Sequence, residues 1–420
     1  MFKLTDGFTP NNTVEIVDSI MGSGKTTAIL KWIDDNPNVK YIYVSPLLSE
    51  VEDSGRIHQS LDRVIFETPN NDVGSKSDSF LELLEAGENI ACTHSLYLGM
   101  TTEHFNLISK HKYTVVIDEE IDVIGSFDKY SISDLEWLYN NGIVEISEDD
   151  GMVSWVGDRE LITKDHKYFT MLCYCDAKAL YTAKRSNSMM VTQLPIKLFE
   201  CANRVIILTY MFKGNILDSF LKLKGINVVP FQDVNIPQKS KDFVRGLITL
   251  VPPNPKLYNY SMSSSWYKSK STAKDLNEIS KYIRNVCIAS KLDATEVAWC
   301  VPKDRVTKTS KNNKSLVKPH SFTKDSEGNS CYLSATMRAT NLYRHKKLMI
   351  HCYDRYPHIS VSSYLQDFGV AVDNQVFALS ELLQWAWRGC IRDNQPMTLA
   401  IGSKRMYNLF KEWLEKDDEI

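Results

Sequence analysis

The segment Ser19-Ile20-Met21-Gly22-Ser23-Gly24-Lys25-Thr26-Thr27 constrains this chain more than any other. A β-branched run at 14–17 leads into it and a helical pattern at 28–32 leaves it, so a buried strand, a glycine-bearing loop and a helix follow one another. Gly22 and Gly24 permit backbone conformations that turn successive N–H groups toward one anion, and the helix N-terminus adds the positive end of its dipole. In a loop of this kind Met21 to Thr27 wrap nucleotide phosphates, Lys25 reaches the β and γ phosphates, and the Thr26 hydroxyl ligates Mg²⁺. The position that usually holds the first glycine of such loops is Ser19 here.

A complementary signal lies further along, where a β-branched run at 113–117 ends in Asp118-Glu119-Glu120-Ile121. Carboxylates at the C-terminal end of a parallel strand face the same rim as the phosphate loop. There Asp118 holds Mg²⁺ through water and Glu119 polarises the attacking water as a general base, which implies hydrolysis. Standing alone, the same residues would read as the acidic start of a helix.

Short apolar runs at 14–17, 41–44, 64–66, 89–92, 113–117 and 204–208 alternate with helical stretches, the pattern of strands buried on both faces of a parallel sheet with helical crossovers. A further run at 228–231 closes this part, and the polar stretch 232–242 with Pro237 reads as a linker. A second alternation follows, with strands expected at 244–250, 297–301, 348–353 and 397–401 and helices near 272–290, 378–392 and 403–416. The expected fold class is therefore α/β, with two parallel-sheet lobes at 1–231 and 243–420. An insertion at about 125–200 interrupts the first, and runs at 143–146 and 153–156 joined through Asp150-Gly151 predict a β-hairpin within it. That hairpin reads either as a wedge between separating strands or, with more weight, as decoration. A length of 420 residues fits two domains of roughly 100–200 residues each.

The net charge of -3 supplies no global attraction to a polyanion, so contact with nucleic acid would rest on local basic patches and backbone amides. The nine cysteines are scattered apart from Cys173 and Cys175, and no apolar run is long enough to span a membrane; a soluble protein of a reducing cytoplasm is expected. Without a second pair at zinc-like spacing, Cys173 and Cys175 read as buried free thiols rather than as half of a metal site.

In the second lobe Gln384, Arg388 and Arg392 follow one another at spacings of four, which would place them on one helical face with both arginines available as fingers toward a γ phosphate. A solvated basic stripe is the plainer alternative. In their order, these motifs resemble superfamily 2 DEAD-like helicases, especially phage-encoded helicases and the helicase half of herpesvirus origin-binding proteins. Residues 21–27 resemble motif I, 118–121 motif II and 384–392 motif VI, while 44–46, 93–95 and 208–210 are similar to motif Ia, a nucleic-acid-contacting loop and motif III. Motif VI here has Trp387 before Arg388 and its second arginine, Arg392, four positions later, which leaves open which one is the finger; Thr209-Tyr210-Met211 replaces the usual Ser-Ala-Thr of motif III.

The resemblance implies two RecA-like lobes, ATP and Mg²⁺ as ligands, and an ATP-dependent helicase or translocase acting on DNA in replication, recombination or repair. It implies residence in the host cytoplasm if the chain is phage-encoded. The expected partners are single-stranded or forked DNA and replication or recombination proteins, with no membrane. It places the strand against Ser45, Thr93, Arg338, Thr340 and Asn341. The stretch 303–324, with seven basic residues against one Asp, and the aromatics Tyr258, Tyr260, Trp266 and Tyr267 are further candidates for that surface. A P-loop kinase or other NTPase with a non-nucleic-acid substrate is the rival reading.

Overall fold

A computed structural model of the chain describes residues 9–72, 74–183, 189–236, 241–307, 316–337 and 342–416. The runs read as buried become parallel strands: β1 (Thr13–Asp18), β2 (Tyr41–Ser45), β3 (Phe66–Glu67), β4 (Asn89–Thr93) and β5 (Thr114–Asp118). An insertion then holds β6 (Ile124–Ser126), β7 (Val144–Ile146), β8 (Val153–Trp155), β9 (Leu180–Thr182) and β10 (Met190–Gln193). The chain returns to the parallel sheet as β11 (Arg204–Thr209) and β12 (Asn227–Pro230), in the order β12-β1-β11-β5-β2-β4-β3.

Both faces of this sheet are covered, which is why its strands lack polar alternation. Tyr41, Tyr43, Val116, Ile206 and Leu208 pack on one face with Ile29, Leu30 and Ile33 of helix α1 (Lys25–Asp35). Ile42, Val44, Val115 and Ile117 pack on the other with Phe105, Ile108 and Phe220. Burial of each such side chain contributes about 1.5–3 kcal/mol. The register sets Asp18 beside Thr209 and Leu208 beside Asp118, so the exit of β1 and the end of β5 stand level at one edge, separated only by β11.

The insertion has its own small core of Phe127, Tyr130, Leu135, Leu138, Val153, Trp155 and Met171. Strands β6, β10 and β9 form an antiparallel sheet, and β7 pairs with β8 as the expected hairpin. Gly151 closes its loop at φ +73°, where a Cβ would run into the carbonyl oxygen of Thr182.

Contacts divide the chain into two compact units, one of Lys25–Ile236 with the chain up to Ser19 and Pro357–Asp373, the other of Pro237–Tyr356 and Asn374–Ile420 with Ile20–Gly24. The second carries the parallel sheet β13 (Ile248–Leu250), β16 (Met397–Ile401), β15 (Leu348–His351) and β14 (Val297–Cys300), in that spatial order. Its long helix Ala273–Ser290 starts from a capping box between Thr272 and Asp275. The expected strand at 244–250 is a strand only from Ile248; before it runs the helix Lys241–Leu247. Val244 is its one buried residue, Arg245 pairs with Asp242 one turn back, and the Arg245 guanidinium donates to the carbonyl of Leu414, so docking on the C-terminal helix overrides β-branched propensity.

The helix Ile359–Asp367 lies in the first unit although the chain on either side of it belongs to the second. Val361, Tyr364 and Leu365 enter the first unit's core, and the Tyr364 hydroxyl donates to the carbonyl of Asp150 at 2.7 Å. Among the described residues no helix is long and apolar enough to cross a membrane.

Candidate active site

The loop after β1 turns through Gly22 at φ +73° and Gly24 at φ +93° before α1 begins at Lys25. A Cβ at Gly24 would meet nothing within 4 Å, so glycine there supplies conformation rather than space. Ser23 N–H donates to Ile20 O at 3.2 Å, which tightens the turn. Lys25 Nζ donates to Ser19 O at 2.8 Å, and Thr26 and Thr27 form the first turn of α1 behind it. Two left-handed glycines, a lysine and a helix N-terminus form a donor set suited to polyphosphate, so the chemistry of these residues fits a nucleotide.

Asp118 ends β5 and is only 5% exposed. Its Oδ2 accepts from the Thr26 hydroxyl at 3.0 Å and from the Tyr43 hydroxyl at 3.0 Å, with Arg56 Nη2 3.7 Å away. Burial, and then the neighbouring Asp118 charge, push the Tyr43 phenol well above its ordinary range, so it remains a hydrogen-bond donor. Arg56 also pairs with Glu50 at 3.1 Å. Thr26 and Asp118 bring two hard oxygens together, the ligand type that Mg²⁺ takes beside substrate phosphates. Among the described residues no group of three or more His, Cys, Asp or Glu is placed to hold a metal without such help.

Glu119 is half-buried with φ +65°, a left-handed conformation unusual for a residue with a side chain, and its N–H donates to Leu208 O at 3.1 Å. His94 Nε2 lies 2.8 Å from Asp118 O. Glu120 turns the other way, where its Oε1 accepts from the Thr209 hydroxyl and the Asn215 amide. Met211, also left-handed at φ +59°, and Phe212 donate their N–H groups to the Asp18 carboxylate, which binds the end of β11 to the end of β1.

The candidate nucleic-acid residues are scattered in their circumstances. Ser45 is fully buried, its hydroxyl donating to Glu50 Oε2 at 2.9 Å. Thr93 caps the helix His94–Leu98, accepting from Leu96 N–H at 3.4 Å. Arg338, Thr340 and Asn341 lie outside the described residues, as does 308–315 of the basic stretch. In the described part of that stretch Arg305 is buried and donates to Tyr267 O. Trp266 and Tyr267 are buried as well, Tyr260 stacks on Trp266 with centroids 5.2 Å apart, and the Tyr267 hydroxyl bonds Cys352 O; these rings pack the second unit rather than wait for bases.

The single helical face expected for Gln384, Arg388 and Arg392 is corrected. The helix runs Asn374–Ala386 and carries Gln384, but it tightens at Arg388 and Gly389, and Arg392 belongs to a separate 3-10 turn, Cys390–Asp393. Cys390 N–H leaves the helical ladder for Lys346 O, and a Cβ at Gly389 would come within 3.0 Å of that oxygen. Arg388 is 6% exposed and Arg392 half-buried. Cys173 and Cys175 sit on the helix Phe169–Asp176, one exposed and one buried.

Tyr43, Arg56, His94 and Asn215 were not singled out by the sequence. Tyr43 sits in an apolar strand run and Arg56 in a short helix without a motif; only His94, inside the 93–95 segment, carried a signal.

A strand, glycine loop and helix beside a carboxylate-ended strand, with a second parallel-sheet unit, define a chain of two RecA-like α/β lobes, the first bearing the phosphate loop and an inserted subdomain. Residues 244–414 match the family model of the YonV C-terminal Rossmann-like domain. The chain is 28% identical over 427 residues to the SPbeta prophage-derived uncharacterized protein YonV of Bacillus subtilis (strain 168), covering 96% of this chain and 98% of that one. Among solved structures it is similar to an XPD helicase, with TM-score 0.52 and 11% identity over 96% of this chain and 95% of that one. The Xpd4 structure from S. tokodaii follows at TM-score 0.49 and 11% identity, over 99% and 96%. The likeness to the XPD helicase establishes a helicase-like fold.

Proposed function

We propose that this chain is a nucleic-acid-stimulated ATP hydrolase of the helicase or translocase type. The observation that carries the reading is the meeting of the Thr26 hydroxyl and the Asp118 carboxylate, 3.0 Å apart, at the sheet edge that also bears Lys25 and Glu119. In this reading residues 21–27 hold the triphosphate, with Lys25 on the β and γ phosphates. Thr26 and Asp118 would hold Mg²⁺, which when bound supplies positive charge against the phosphates. Glu119 takes a proton from the attacking water, and Gln384, Arg388 and Arg392 answer to the γ phosphate. Tyr43 keeps Asp118 oriented.

The proposed track is DNA, single-stranded or forked, touched by Thr93, Arg338, Thr340 and Asn341, with Ser45 acting through its hold on Glu50. The motif order, the fold likeness to an XPD helicase and the prophage origin of the relative support this reading, and a role in phage replication, recombination or repair follows from it. The test is steady-state ATP hydrolysis without polymer and with single-stranded DNA, forked duplex DNA and RNA. Stimulation by DNA that vanishes in Lys25→Ala, and a loss of roughly 10²- to 10⁴-fold in Glu119→Gln, support it. Turnover indifferent to every polymer would transfer the site to a small-molecule kinase or other NTPase.

A further inference from the structure

The peptide that joins Asp118 to Glu119 is gripped at both of its polar ends. Its N–H donates to Leu208 O of β11 at 3.1 Å, and its carbonyl oxygen lies 2.8 Å from His94 Nε2. A carbonyl only accepts, so His94 carries a proton on Nε2. Strand order makes this contact a long reach: β4, which delivers His94, is separated from β5 by β2, and the side chain crosses the end of β2 to arrive. The gripped peptide leads into Glu119 at φ +65°, a conformation that a residue with a Cβ leaves when its neighbours let go. Rotation of the peptide would turn the Glu119 side chain with it.

We infer that His94 is a positioning residue for the hydrolytic carboxylate: it sets the Asp118–Glu119 peptide, and through it the direction of Glu119. The inference rests on the ATPase reading above. His94 follows Thr93 directly, and Thr93 caps the helix that His94 opens. A polymer that shifts the 93–95 segment therefore shifts the donor on Asp118 O, so the polymer-dependent part of turnover passes through this imidazole.

The test compares full-length wild type, His94→Ala and His94→Gln in steady-state ATP hydrolysis, with and without single-stranded DNA, beside ADP binding. Gln keeps an N–H donor of similar reach. His94→Ala is expected to lower kcat roughly 10- to 100-fold and to lose most DNA stimulation, while KM and ADP affinity stay within about twofold and His94→Gln recovers most of the loss. Undiminished kcat in His94→Ala would overturn the inference while leaving the ATPase reading intact. So would equal losses in kcat and ADP affinity that Gln does not rescue, the mark of a merely structural histidine. A wild type that hydrolyses no ATP would instead defeat the ATPase reading and this role together.

Discussion

Replacing Tyr43 by Phe removes one hydroxyl and leaves the rest of the side chain in place. Tyr43 is fully buried, and its hydroxyl donates to Asp118 Oδ2 at 3.0 Å. A buried hydrogen bond to a charged acceptor contributes about 1.5–3 kcal/mol, and Asp118 cannot recover it from water. Arg56, 3.7 Å away with a side chain 39% exposed, is too far and too screened to replace the lost donor. We therefore expect Tyr43→Phe to destabilise the first unit by about 2 kcal/mol. A two-unit chain need not unfold in one step, so the readout is amide hydrogen exchange of β2 and β5. A double-mutant cycle with Asp118→Asn should return a coupling of about 1–2 kcal/mol. The phenol lies well above its ordinary range, so the cost should be the same across neutral and mildly alkaline pH. A cost below about 0.5 kcal/mol, or coupling near zero, would refute the claim that Tyr43 supports the carboxylate.

Burial, reinforced by the Arg355 charge, lowers His351 from 6.5 to about 3, and its Nδ1 has no hydrogen-bond partner among the described residues. The unfolded chain binds this proton well before the folded one does. Stability is thus full above the unfolded value and falls as pH drops toward the folded one, by about 1.4 kcal/mol per pH unit inside that window. In urea titrations followed at successive pH values, His351→Leu should remove one proton from that slope; an unchanged slope would count against it. Gly151→Ala, at φ +73° against the Thr182 carbonyl, should loosen the insertion by about 2–4 kcal/mol, seen as faster hydrogen exchange in β7 and β8 but not in β1 or β11. Arg388→Ala should lower both melting temperature and turnover because that side chain is buried, whereas Arg392→Ala should lower turnover alone; the reverse pattern would exchange their roles.

The seven-stranded sheet was legible because a strand buried on both faces must be apolar in its interior, as β2, β4, β5 and β11 are, with polar residues confined to their ends. The hairpin was legible because Asp150-Gly151 provides the left-handed turn that its loop needs. Where tertiary contacts outweighed local preference, the sequence pattern misled. Val244 marks the buried side of a docked helix, not a strand, and the spacing of Gln384, Arg388 and Arg392 held no sign that Cys390 N–H would leave the ladder for Lys346. The helix Ile359–Asp367 has an ordinary amphipathic pattern, and a pattern records that a face is apolar without recording which sheet will cover it.

The candidate site shows the same division at closer range. Lys25, Thr26, Asp118 and Glu119 could be named because the C-terminal ends of parallel strands in one sheet share an edge whatever the order of those strands. Their supports depend on the order itself. With β5 beside β2 and β2 beside β4, Tyr43 can point from β2 to Asp118 and His94 can reach over from β4. With β11 on the other side of β5, Thr209 and Asn215 are the donors that hold Glu120. Ser45, Glu50 and Arg56 complete a polar path from the end of β2 back to Asp118. Segments that the resemblance assigns to polymer contact thus end on Asp118 by different routes: His94 on its main-chain carbonyl, and Ser45 on its carboxylate by way of Glu50 and Arg56. On the proposed reading, displacing the 93–95 segment would therefore act on the Asp118 main chain directly, whereas displacing Ser45 would act only through Glu50 and Arg56.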